Sequence, residues 1–228
     1  MRFSGFRTKT AVLAFAAAGA TSAFAYWGYG ELRAHQLRDE ITTLVTDTSL
    51  RMQAALSAQL APAAAHPALL RRFYEHAEAV DAHFRKLDGE NAAPVADLAN
   101  AADDYLLTSR EILLRWASSQ RYRVKLSGSI QVLQDHMRAD DRTAAWISAA
   151  VRAKEQVEED YRDYNRAVNA LSTLLGTFPV ARDRMAPHLD AALLADENVI
   201  ETARTSALAA SALAQHEMEK IRQLRTYR

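Results

Sequence analysis

From residue 95 to residue 137 the chain keeps one register without a break. Val95, Leu98, Ala102, Tyr105, Ser109, Ile112, Trp116, Ser119, Arg123, Leu126, Ile130, Leu133 and Met137 follow alternating steps of three and four. That spacing puts every one of these side chains on a single stripe of an α-helix, and it does not fit the two-residue period of a strand. A helix running to Ala139 would be about 65 Å long. It has to bury its stripe against partners of similar length, which restricts the fold to a bundle of long helices.

The rest of the chain carries the same kind of pattern. Leu37, Ile41, Leu44, Thr48, Met52 and Leu56 predict a helix over 31–60, and Leu70, Phe73, Ala77, Val80, Phe84 and Leu87 predict another over 68–87. Between them, Pro62 and Pro67 break the periodicity, and Asp88-Gly89 stops the second helix. A further stripe runs through Trp146, Ala150, Ala153, Val157, Asp160, Tyr164, Val168, Leu171 and Leu175, so a helix is expected over 142–176 with Asp140-Asp141 as its cap. Gly176-Thr177-Phe178-Pro179 reads as its end, by the rule that glycine and then proline close a helix. A last helix is expected after Pro187, with Leu189, Leu193, Ile200, Ala203, Ala207, Ala210, Ala214, Ile221 and Leu224 facing inward. Only 7 Gly and 5 Pro occur in 228 residues, which leaves few turns.

Ahead of these helices lies a different segment. Arg2, Arg7 and Lys9 precede an uncharged run from Thr10 to Gly30 that ends in Tyr26, Trp27 and Tyr29. A basic flank, an apolar stretch of about 20 residues and aromatic side chains at the headgroup level are the features of a membrane-spanning helix. Ala23-Phe24-Ala25 also fits the small-x-small pattern before a signal cleavage site. Continuation of the run through Tyr26 and Trp27 favours an uncleaved anchor.

The basic bias before the run places the N-terminus in the cytoplasm and the bulk of the chain on the periplasmic, outer side of the inner (cytoplasmic) membrane, as a single-pass protein. The expected fold class is therefore all-α: an N-terminal transmembrane helix over 1–30, then an elongated antiparallel four/five-helix bundle over 31–228.

Chemistry is harder to find. There is no cysteine, which excludes disulfides, iron–sulfur clusters, thiolate zinc sites and cysteine nucleophiles. Charge is balanced, 28 basic against 28 acidic residues, so nothing attracts nucleic acid. None of the seven histidines has a glutamate three positions before it, as carboxylate-bridged di-iron bundles require. His76 and His83, with Glu75, Glu78 and Asp81 nearby, form the best metal cluster, but two turns separate the rings by about 10 Å. No nucleophile elbow, phosphate loop or dinucleotide fingerprint occurs. Neither catalytic residues nor a cofactor are expected.

Two departures stand out. Ser109, Ser119 and Arg123 fall on the apolar stripe of the 95–139 helix, where a polar residue fixes register or lines a cavity. A buried Arg123 would need a carboxylate, and Asp160 lies on the stripe of the neighbouring helix. Ser109, Ser119, Arg123 and Asp160 are thus the candidate polar core, or a small anion site between helices. The second departure is the basic C-terminus, Lys220, Arg222, Arg225 and Arg228, which offsets a helix dipole or meets lipid headgroups.

Tyr164-Asn165-Arg166-Ala167-Val168, followed by Thr173 and Thr177-Phe178-Pro179, resembles a segment of the LemA family. That resemblance implies an N-terminal membrane helix followed by a helical bundle, and it assigns no site residue. It is confined to 164–179. The family's Arg-Arg-x-Asp-Leu-Ile-Pro-Asn-Leu run has no counterpart, and a further helix follows here.

The expectation for function is a membrane-anchored scaffold or accessory subunit of a cell-envelope complex, non-catalytic. Its partners would be the bilayer, through the N-terminal helix, and other proteins, with homo-oligomers among the candidates. The alternative is a sensory or small-ligand-binding bundle that signals through its membrane helix with a partner chain.

Overall fold

The computed structural model describes residues 32, 34–57, 95–139, 141 and 143–223. The anchor expected over 1–30, its aromatic rim Tyr26, Trp27 and Tyr29, and the helix expected over 68–87 lie outside the described residues, as do His76 and His83. Among the described residues there is no strand, and no helix is long and apolar enough to cross a membrane.

Four α-helices are described: α1 over residues 34–57, α2 over Ala96–Ala139, α3 over Ala144–Met185 and α4 over Glu197–Gln223. A short 3₁₀ turn, Ala191–Leu193, precedes α4. One continuous apolar cluster joins all four helices. On α1 the buried row is Leu37, Ile41, Val45, Met52 and Leu56, with Val45 fully buried where Leu44 was expected to face inward.

α2 and α3, of 44 and 42 residues, form an antiparallel hairpin. His136 and Trp146 close its tight end. Their rings stack at 5.4 Å, the indole Nε1 donates to the His136 carbonyl at 3.0 Å, and His136 Nε2 meets the Trp146 carbonyl at 2.9 Å. The α3 cap is Thr143, whose hydroxyl oxygen accepts from the Trp146 N–H at 3.1 Å. The expected cap, Asp141, instead accepts from the Thr143 hydroxyl.

The predicted end of α3 at Gly176 is corrected: the helix runs on through Pro179 to Met185. Proline there removes the helical donor for the Leu175 carbonyl, a cost of about 3 kcal/mol in an ordinary helix. The seam offsets it, because Leu171, Leu175, Phe178 and Met185 continue in the same three–four register and all are buried. Gly176 faces α4, where the Arg204 guanidinium lies 3.5 Å from the place a Cβ would occupy.

α4 also begins later than the periodicity predicts, at Glu197 rather than near Leu189. Asp190 caps the 3₁₀ turn by accepting from the Ala192 N–H at 2.9 Å, and Asp196 accepts from the Asn198 N–H at 2.8 Å. These two local acceptors draw the chain out of the helix. α4 runs back along α3, with Arg182 paired to Glu197 and Ser211 bonded to Asn165 at 2.7 Å. Ala203 and Ala207 are buried on α4, and their small side chains let α4 pack closely.

Candidate functional site

Polar side chains enter the core at three levels of the bundle, and they are satisfied to different degrees. At the first level the fully buried Tyr105 of α2 ties three segments together. Its hydroxyl shares a 2.7 Å hydrogen bond with Ser49 of α1 and accepts from the Ala195 N–H at 3.0 Å, just before α4. Its ring lies 5.2 Å from that of Phe178 on α3. Burial pushes the phenol above its ordinary pKa, opposed by the bonds to Ser49 and Ala195 and by the Arg182 charge. Arg182 braces the same loop, donating to the Ala195 carbonyl at 3.0 Å.

At the far level Asp160 is 1% exposed. Lys125 Nζ lies 2.8 Å from its Oδ1, Gln156 donates to the same oxygen at 2.9 Å, and the Ser129 hydroxyl donates to Oδ2. Burial alone would raise the carboxyl pKa. The bonds from Lys125, Ser129 and Gln156, with the Lys125 charge, outweigh it and hold the group below the usual carboxylate range.

The expected Arg123–Asp160 pair is corrected: Lys125 takes the carboxylate. Its flexible stem brings the ammonium to Asp160 while leaving the side chain half exposed.

Between these levels lies a partly open cavity of about 160 Å³ between α2, α3 and α4. α2 contributes Ser119, Gln120 and Arg123, α3 contributes Tyr164, Val168 and Leu171, and α4 contributes Ser206, Ala207 and Ala210. Arg123 is half-buried and has no ion-pair partner among the described residues. Gln120 is 6% exposed, and its Oε1 has no hydrogen-bond partner among the described residues. The Ser119 hydroxyl donates to the Trp116 carbonyl at 2.7 Å, which leaves its oxygen free to accept. Burial raises the Tyr164 phenol pKa and the nearby Arg123 charge opposes that rise.

Of the four sequence candidates, the structure brings Ser119 and Arg123 together in this cavity. Asp160 sits one turn from Tyr164 and is taken up by Lys125. Ser109 lies about 20 Å further down α2, where its buried hydroxyl donates to the Tyr105 carbonyl at 2.7 Å. Gln120 and Ser206 were missed because neither falls on a heptad position of its helix. Among the described residues no three histidine or acidic side chains converge as a metal site would require. Lys220 pairs with Glu217 at 2.7 Å near the end of α4, while Arg225 and Arg228 lie outside the described residues.

Ser206 also lines a second cavity, of about 190 Å³, bounded by Leu56 and Ser57 of α1. The two cavities are thus neighbours across one α4 side chain. Compared with known proteins, the chain matches no family model, no curated protein and no solved structure.

Proposed function

We propose that this protein is a non-catalytic helical bundle, tethered to the inner membrane through its N-terminal segment, that serves as a scaffold or accessory subunit of a cell-envelope complex. The observation that supports this reading is the α2–α3 hairpin. Two helices of 44 and 42 residues are joined along their lengths by one apolar seam, from Tyr105–Phe178 to His136–Trp146. Helices of that length make an arm of about 60 Å, suited to holding a partner at a fixed distance from its base. The basic flank, apolar run and aromatic rim of the first thirty residues support the tether.

Purification of the full chain in mild detergent from its native membrane tests this. Comigration with a stoichiometric protein partner in a large assembly that survives washing is the expected result. Elution as a companionless monomer contradicts the scaffold. A reporter fused after Arg228 tests sidedness, with activity expected on the periplasmic side.

One observation favours the sensory alternative. The cavity at Arg123 adjoins a second cavity bounded by α1, the helix that follows the N-terminal segment. A ligand there would touch side chains one layer away from α1, so its differential contacts could bias that helix.

A further inference from the structure

The cavity between α2, α3 and α4 has features that a mere packing defect lacks. Defects in protein cores are lined by apolar atoms and stay dry. This one is lined by a guanidinium, an amide, a phenol and two hydroxyls, together with Val168, Leu171, Ala207 and Ala210. Gln120 is the sharpest signal, since a side-chain acceptor this deeply buried ordinarily has a partner.

The lining also limits what could complete it. A volume of about 160 Å³ is close to that of an engineered core cavity, about 150 Å³, that admits benzene, so about six or seven non-hydrogen atoms fit within it. Arg123 is the single cation among the described lining residues, and its planar fork suits a carboxylate held by two parallel bonds. One cation matches a monoanion better than a phosphate dianion. No acidic side chain among the described residues lines it, so they offer a ligand ammonium no counter-charge. Gln120 Oε1 therefore calls for a neutral donor, and a hydroxyl serves. Val168, Leu171, Ala207 and Ala210 offer apolar contact to a short hydrocarbon body.

We propose that this cavity binds a small 2-hydroxy monocarboxylate, with Arg123 and the Tyr164 hydroxyl on the carboxylate and Gln120 accepting from the ligand hydroxyl. The site stands whether the chain is a scaffold or a sensor, and its test needs no envelope partner.

Calorimetric titration of the full chain in detergent decides it. The probes are 2-hydroxybutyrate, butyrate, 2-aminobutyrate and inorganic phosphate. Saturable 1:1 binding of 2-hydroxybutyrate is expected, with several-fold weaker binding of butyrate and at least about tenfold weaker binding of 2-aminobutyrate and phosphate.

Arg123→Gln weakens 2-hydroxybutyrate by about tenfold or more, whereas Arg121→Gln, exposed on the same helix, leaves it unchanged. Gln120→Leu brings 2-hydroxybutyrate and butyrate to the same affinity. Ala210→Leu fills the cavity and abolishes binding without lowering the melting temperature, which keeps the test valid if Arg123→Gln misfolds. Absence of saturable binding by 2-hydroxybutyrate, a preference for phosphate or 2-aminobutyrate, or binding that survives Ala210→Leu overturns the proposal.

Discussion

Tyr105 and Gln120 lie in the same helix, both buried, about 22 Å apart along α2. Tyr105 has a partner on α1, another in the approach to α4, and an aromatic neighbour on α3. Among the described residues, Gln120 Oε1 has no partner, and no carboxylate neutralises the arginine beside it. A polar group whose partners are all supplied by the fold makes the fold more specific. One whose partners are missing lowers stability, and it persists where something outside the chain completes it. The first site holds the bundle together; the second is where the bundle has room for chemistry not its own.

The largest break in this comparison is Tyr105→Ala. It removes a buried ring and both hydroxyl bonds, and urea melts should register a loss of about 3–5 kcal/mol. The Ala195 N–H would be left without its partner, while Ser49 would keep its bond to the Val45 carbonyl, so the segment between the 3₁₀ turn and α4 should lose hydrogen-exchange protection first.

Asp160→Asn comes next. Asp160 is buried but fully answered, like Tyr105, and losing its charge-assisted bonds should cost about 1–3 kcal/mol at neutral pH. The folded carboxyl is depressed below its ordinary value, so its stabilisation is complete above the unfolded pKa of about 3.9 and is lost as pH falls through the folded value. The gap between Asp160→Asn and the parent should therefore close below about pH 4. A gap that stays constant from neutral to acid pH would show that the charge contributes nothing.

Gly128→Ala is the smallest test, and it stabilises. Gly128 is exposed in the interior of α2, and a Cβ there would meet nothing within 4 Å. Relief of the glycine cost should raise stability by about 0.5–1 kcal/mol. This residue lies one position from Ser129 and far from the Tyr105 level, so the gain should add to the other effects without coupling to Tyr105.

What could be read in advance followed the range of the interaction that fixed it. The α2 stripe is a local property of one helix. Its bounds and its buried row from Val95 to Trp116 were legible because a three–four period admits no other regular structure. The end of α3 was not, because Gly176 and Pro179 carry a strong stop signal while Phe178 and Met185 carry the competing seam, and burial won. The start of α4 turned on two aspartates, Asp190 and Asp196, whose capping outweighed the spacing of Leu189 and Leu193.

At the candidate site, periodicity put Ser119 and Arg123 inward. It could not say that Lys125, off the stripe, would reach Asp160 with its longer, freer stem. Nor could it find Gln120, whose burial comes from facing a cavity shared by three helices rather than from its own register.

Equilibrium unfolding of Tyr105→Phe and Gln120→Leu, side by side with the parent in the absence of added carboxylate, tests the contrast most directly. Both replace a buried polar group by an apolar one of similar size. Tyr105→Phe should lose about 1–2 kcal/mol, since the Ala195 N–H is left unanswered and Ser49 keeps only its bond to the Val45 carbonyl, while Gln120→Leu should gain up to about 1 kcal/mol by removing an acceptor without a partner among the described residues. A loss of stability in Gln120→Leu comparable to that in Tyr105→Phe would contradict the account, because Gln120 would then be serving the fold.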